Sequence, residues 1–365
     1  MNKFFTRYSH WILVVGIIVS FIVLSVGSAM RESLTYDEIV HSEEGLNHLQ
    51  KHTFTADTYN PPLIRELQML PTALGIVTER LFANRLVTVS LGALLLVIVY
   101  FTTRKYFGRE AGLFALFFLA FEPNMLAHSH YVTLDVGTAL FFSLAYIMFF
   151  WFWERATLAR SIVFGASLGL ALASRVMVLP YTAVSAVLLL FAGKRKSLSL
   201  KYIGSAILVS LFVVWATYFF RWEVAIAKGG GPGRVSERLK QIASAQKLTV
   251  LESGLSMLEN QPLPLGNYLA TVKNSFLRGA QNTAKPRWHE LPVNIFLKTP
   301  IPLLLFVLLA LRTSKQTLVF AVPVIGILGV AVLTGMEPRV RYVLPIYPFL
   351  AIIAAVEVGK IRSIW

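Results

Sequence analysis

Val136-Gly137-Thr138-Ala139-Leu140-Phe141-Phe142-Ser143-Leu144-Ala145-Tyr146-Ile147-Met148-Phe149-Phe150-Trp151-Phe152-Trp153 runs without a charge between Asp135 and Glu154. A helix rises about 1.5 Å per residue, so this stretch covers most of a roughly 30 Å hydrocarbon layer. Nine further apolar blocks surround it: Trp11–Gly27, Leu86–Phe101, Ala111–Phe121, Ile162–Ala173, Val176–Phe191, Ile203–Phe220, Val293–Leu311, Leu318–Leu333 and Tyr342–Val358. The pattern predicts an all-α polytopic membrane protein of about ten transmembrane helices, within a range of nine to eleven. Composition agrees. The 365-residue chain is 56% hydrophobic and 15% charged, more apolar surface than a soluble globule of this size can bury. It has no cysteine, which removes thiol catalysis, cysteine-held zinc and a disulfide-stapled secreted fold.

The net charge is +15, yet the basic residues fall between apolar blocks rather than in one stripe with aromatics. That distribution speaks for loop retention and anionic lipid, and against a nucleic-acid partner. With the N-terminus inside, each short cytoplasmic segment is basic: Lys3 and Arg7; Arg104, Lys105 and Arg109; Arg155 and Arg160; Lys194, Arg195, Lys196 and Lys201; Arg312 and Lys315; Lys360 and Arg362. The short outer stretch Glu122–Leu134 has neither Lys nor Arg. Both termini are therefore expected in the cytoplasm, in an inner (plasma) membrane. The first block lacks a small-residue cleavage site and reads as a retained helix. Two long segments, Arg31–Asn84 and Arg221–Pro292, then fall outside and are expected to carry interfacial helices. In the second, Val235, Leu239 and Ile242 recur at helical spacing among Arg238, Lys240 and Lys247. Its Gly229-Gly230-Gly231-Pro232-Gly233 is either a hinge or a mobile flap.

The candidate chemistry lies on the outer side. Asp37, His41 and Glu44 share one helical face where the first span ends; with Glu38 they form either an acidic helix start or a base or cation-ligand set. Tyr59-Asn60-Pro61-Pro62-Leu63-Ile64-Arg65 reads as a rigid corner. Asp135 heads the quoted span, either as a dipole partner or in a cavity with His128 and Asp37. His128-x-His130 also resembles half a metal site. Arg175 interrupts two apolar runs, where an unpaired guanidinium is costly, so it is functional or paired. Arg339 and Arg341, before Tyr342, can snorkel to headgroups or grip phosphate bidentately. Carboxylates outside and arginines at membrane depth suggest a substrate with a phosphate and an apolar tail. An outward-facing enzyme has no ATP, so its activated group must arrive on such a carrier.

Five segments, in order, resemble the GT-C glycosyltransferases of the protein O-mannosyltransferase (family 39) and aminoarabinose transferase type. They are Asp37–Gly45, Asn60-Pro61-Pro62-Leu63 with Leu70-Pro71, Ala127-His128 with Thr133-Leu134-Asp135, Phe296–Pro302 with its Lys298-Thr299-Pro300, and Arg341–Pro348. The resemblance spans nearly the whole chain and implies a single GT-C domain over 1–365. It also implies inverting transfer of a sugar from a polyprenyl-phosphate donor to an envelope lipid, polymer or protein on the extracytoplasmic face. Asp37, Asp135 and Glu38 would be the catalytic acids. Arg341, Arg339, Arg175 and Lys298 would hold donor phosphate, with His41, His128, Tyr342 and Arg65 lining the cavity. A divalent metal would draw on Glu44, His128 and His130. Asn60 replaces the family's usual histidine, and Arg175 stands near where many members carry a lysine. No separate soluble C-terminal domain is expected, which argues against a protein acceptor. The rival readings are a secondary transporter or lipid flippase, which would want an inverted repeat that is not found, and a non-catalytic assembly subunit. Sugar, acceptor, polyprenol and oligomeric state are not legible in the residues.

Overall fold

The computed structural model describes residues 2–54, 59–76, 80–192, 199–224, 261–281, 289–313 and 317–362. All ten apolar blocks are helical: α1 (Asn2–Arg31), α4 (Arg80–Phe107), α5 (Arg109–Ala120), α7 (Asp135–Glu154), α8 (Leu158–Leu172), α9 (Val178–Ala192), α10 (Leu200–Thr217), the pair α12 (Glu290–Lys298) and α13 (Ile301–Thr313), α14 (Leu318–Leu333) and α15 (Tyr347–Arg362). The outer segments add α2 (Tyr36–Leu46), α3 (Leu63–Ala73), the one-turn-and-a-half α6 (Pro123–His128) and α11 (Gly266–Gln281). Among the described residues five helices are long and apolar enough to cross a membrane, six if the bent α12–α13 pair is one span. Helices α8, α9 and α14 are shorter apolar elements, and α5 is shorter still. The predicted amphipathic stretch around Leu239 and the glycine cluster 229–233 lie outside the described residues.

Local chemistry explains the breaks. Helices α12 and α13 meet at 112°. Pro300 has no N–H to donate and forces Thr299 into extended geometry (φ −96°, ψ 134°), so the eighth block cannot run straight. Arg175 falls in the turn between α8 and α9, where a guanidinium can leave the apolar layer. Within the bundle, α15 is the most enclosed candidate span, with 89% of its window buried, followed by α7 at 67%. Helices α1 and α10 lie at the rim, at 22% and 17%. Lipid supplies no hydrophobic drive between helices, so close steric fit must hold them. Gly169 provides it on α8: an added Cβ would come within 2.7 Å of the Ser210 carbonyl oxygen on α10.

The segments between the apolar helices are stitched to the bundle by polar contacts. The Leu63 N–H, just after the proline pair, donates to the Ala173 carbonyl at 3.3 Å, tying the first outer loop to the end of α8. Gly45 lets α2 cross α3, since a Cβ there would approach the Arg65 carbonyl oxygen to 2.7 Å. A short antiparallel pair, β1 (Trp222–Val224) with β2 (Pro262–Pro264), aligns Glu223 with Leu263 and closes the ends of the second long segment.

Candidate active site

Two acid–arginine pairs assemble from four distant segments of the chain. Asp37, in the first turn of α2, accepts from Arg341 Nη1 at 2.5 Å. Asp135, at the head of α7, accepts from Arg175 Nη1 at 2.6 Å. Tyr342 joins the pairs: Arg175 and Arg341 carry their guanidinium carbons 4.9 and 5.2 Å from the same ring centroid. The Tyr342 backbone is in turn held by the Tyr181 hydroxyl of α9, which donates to its carbonyl at 3.4 Å. Arg341 and Tyr342 lie in a 3-10 segment, Val340–Ile346, that leads into α15. Its proline, Pro345, disfavours a regular α-helix there, and Val343 departs from helical geometry (φ −106°, ψ 15°).

Asp37 owes its position to its neighbour. Glu38 is fully buried, and both its oxygens engage Arg85: Nε to Oε1 at 2.7 Å and Nη2 to Oε2 at 2.8 Å. The Thr35 N–H at 3.0 Å and the Val132 N–H at 3.1 Å also donate to it. Burial alone would raise the Glu38 pKa, but these hydrogen bonds outweigh it and hold the carboxyl low. Arg85 spends its remaining N–H groups on the carbonyls of Ala29, Glu32 and Ser33. Successive helical residues point about 100° apart, so with Glu38 turned inward Asp37 faces the arginine of α15's approach.

The other anticipated residues divide. His128 is flanked electrostatically by Asp135, Arg341, His130 and Lys298; burial lowers its pKa, so it stands neutral beside both pairs. Arg65 donates from Nε to His41 Nδ1 at 3.1 Å, placing these two together on the α2–α3 contact. Arg339 pairs with Glu337 at 2.9 Å, both more than half exposed, in a solvated contact. Glu44 lies 3.8 Å from His48 on the inner face of α2, and His130 lies 3.1 Å from Glu32. Glu44, His128 and His130 therefore do not converge, and among the described residues no group of three His, Asp or Glu side chains is placed to hold a metal.

Three features escaped the reading of the sequence. Arg85 sits at the start of an apolar block, the same signal that exposed Arg175, but its partner lies 47 positions away. Glu122 caps α6 by accepting the Met125 N–H at 2.6 Å, and burial pushes its pKa up to about 7. Asn124 then links Glu122 to the Lys298 carbonyl (3.0 Å) and the Tyr347 hydroxyl (3.1 Å), fastening the Lys-Thr-Pro segment to the last helix. Glu66, on α3, is buried, with Oε1 accepting no hydrogen bond among the described residues; burial pushes its pKa up to about 8.

The arrangement of the helices is a GT-C type of membrane fold. Residues 60–218 match the family model described as dolichyl-phosphate-mannose-protein mannosyltransferase. Among solved structures, the chain resembles ArnT from Cupriavidus metallidurans, with a TM-score of 0.63 at 16% identity over 98% of this chain and 61% of that one. It also resembles the archaeal oligosaccharyltransferase AglB from Archaeoglobus fulgidus, solved with an inhibitory peptide and a dolichol-phosphate. There the TM-score is 0.61 at 15% identity, over 98% of this chain and 51% of that one. The chain thus spans only half to three-fifths of the length of these structures, and at such identities the likeness establishes the fold. No curated protein matches the chain in sequence.

Proposed function

We propose that the protein is a glycosyltransferase that takes a sugar from a polyprenyl-phosphate-linked donor and passes it, with inversion, to an envelope acceptor on the extracytoplasmic face. The observation that carries this reading is the double pair Asp37–Arg341 and Asp135–Arg175 around Tyr342, assembled from four segments of the chain. Breaking the anomeric C–O bond expels a polyprenyl phosphate, whose charge needs cations already in place. Arg341 and Arg175 would supply them, and Lys298 lies within electrostatic reach of His128 beside them. Asp37 accepts the proton of an attacking hydroxyl, or orients the acceptor when that is already anionic. Asp135 holds Arg175, and Glu38 acts through Arg85 to aim Asp37. The first units of the donor's tail enter a cavity of about 240 Å³ between α7, α8 and α9, lined by Phe142, Tyr146, Phe149, Phe164, Leu168 and Leu179. It lies on the helix that Asp135 heads and on the two that flank Arg175. The complex of the archaeal oligosaccharyltransferase AglB with a dolichol-phosphate supports the same donor class.

The test is transfer in proteoliposomes from a labelled polyprenyl-phosphate sugar. Wild type should form a labelled product, and Asp37→Asn should lose at least about 100-fold in turnover, the usual scale for a positioned acid or base. Near wild-type transfer by Asp37→Asn would refute its assignment.

A further inference from the structure

The described residues contain two very different acid–arginine pairs on α2, one residue apart. In Glu38–Arg85 the side chains are 0% and 1% exposed, the contact is two-pronged, and every N–H of Arg85 has an acceptor. In Asp37–Arg341 the side chains are 38% and 23% exposed and a single nitrogen makes the contact. Arg341 Nη2 reaches only the Tyr342 hydroxyl, at 3.5 Å, and Nε is buried with no hydrogen-bond partner among the described residues. A buried donor left unpaired is costly, and a one-pronged pair with solvent access is weak. Arg341 is therefore held by an incomplete partner, while its fork has the shape to grip two oxygens of a phosphate at once.

We propose that Asp37–Arg341 is an exchange latch. The phosphate of the lipid carrier takes Arg341, pairing the orphaned Nε, and in doing so releases the Asp37 carboxylate to meet the acceptor. This rests on the donor class proposed above and adds an order to it: donor first, acceptor second. Until the phosphate arrives, the carboxylate that should receive the acceptor is occupied, so the site does not engage acceptor or water prematurely. The second pair does not behave in this way: Asp135 is 5% exposed against 38% for Asp37, so its pair with Arg175 is shielded from water and stays in place while Arg341 moves. No bond to carbon or phosphorus changes in the exchange; one ion pair is traded for another.

The experiment is carbodiimide labelling of the full chain in detergent, with a polyprenyl phosphate as probe and peptide mass spectrometry to read modification at Asp37. Binding of the probe is followed in parallel. The expected result is that saturating probe raises labelling at Asp37 by about threefold or more, while Glu38 stays unlabelled. Asp37→Asn, which removes the competitor, should bind the probe about three- to tenfold more tightly while losing turnover. Saturable binding with unchanged or reduced labelling at Asp37 overturns the latch but leaves the donor reading standing. Failure of the wild type to bind any polyprenyl phosphate overturns the donor reading and the latch together.

Discussion

At the scale of single residues, adjacency in sequence is a poor guide to role. Asp37 and Glu38 are neighbours, yet one faces a half-open cleft and the other is sealed against Arg85. Removing one partner of a buried pair leaves an uncompensated charge, so Glu38→Gln or Arg85→Met should cost about 3–5 kcal/mol. The readout is thermal unfolding in detergent; a loss below about 1 kcal/mol would contradict the buried, fully bonded geometry. Glu66 gives a prediction in pH. Burial pushes its pKa to about 8, above its ordinary 4.5, so between those values the folded chain keeps a proton that the unfolded chain has released. Stability from this group therefore falls as pH rises from about 4.5 to about 8 and is flat beyond. Glu66→Gln should remove that component of the pH dependence of unfolding, and an unchanged pH profile would speak against it.

At the scale of elements, the apolar blocks were legible because apolar length is a local property. Their ends were less so. The bend at Thr299-Pro300 was not anticipated, although proline chemistry accounts for it: the eighth block was read as one run, and the structure divides it into α12 and α13. The turn at Arg175 was legible from its charge. Helix contacts give two predictions. Gly169→Leu drives a side chain into the backbone of α10 and should destabilise by about 1–3 kcal/mol, the range for overpacking. Ala145→Trp narrows the cavity between α7, α8 and α9. On the proposed reading it should raise KM for a full-length lipid donor several-fold, yet leave kcat and the KM for a short-tailed donor near wild type. An equal rise for both donors would place the tail elsewhere.

For the whole molecule, the basic residues predict which side faces the cytoplasm, and the lack of cysteine makes the prediction easy to check. Tyr36→Cys, at an exposed position beside Asp37, should react with an impermeant maleimide on intact cells. Arg109→Cys, at the exposed start of α5, should react only after lysis. The reverse pattern would invert the membrane orientation and with it the outward site. The sequence by itself determined that this chain lives in a bilayer, where its helices lie, and which acids and arginines were worth watching, since hydropathy, charge between blocks and motif order accumulate residue by residue along the chain. Tertiary structure alone decided that Asp37 meets Arg341, that Glu38 is withdrawn to Arg85, and that Tyr342 lies against two guanidinium groups. Partners tens to hundreds of residues apart leave no mark on each other's local sequence; only the packing of the elements that carry them determines which charges come within a few ångströms and which are left to find a substrate.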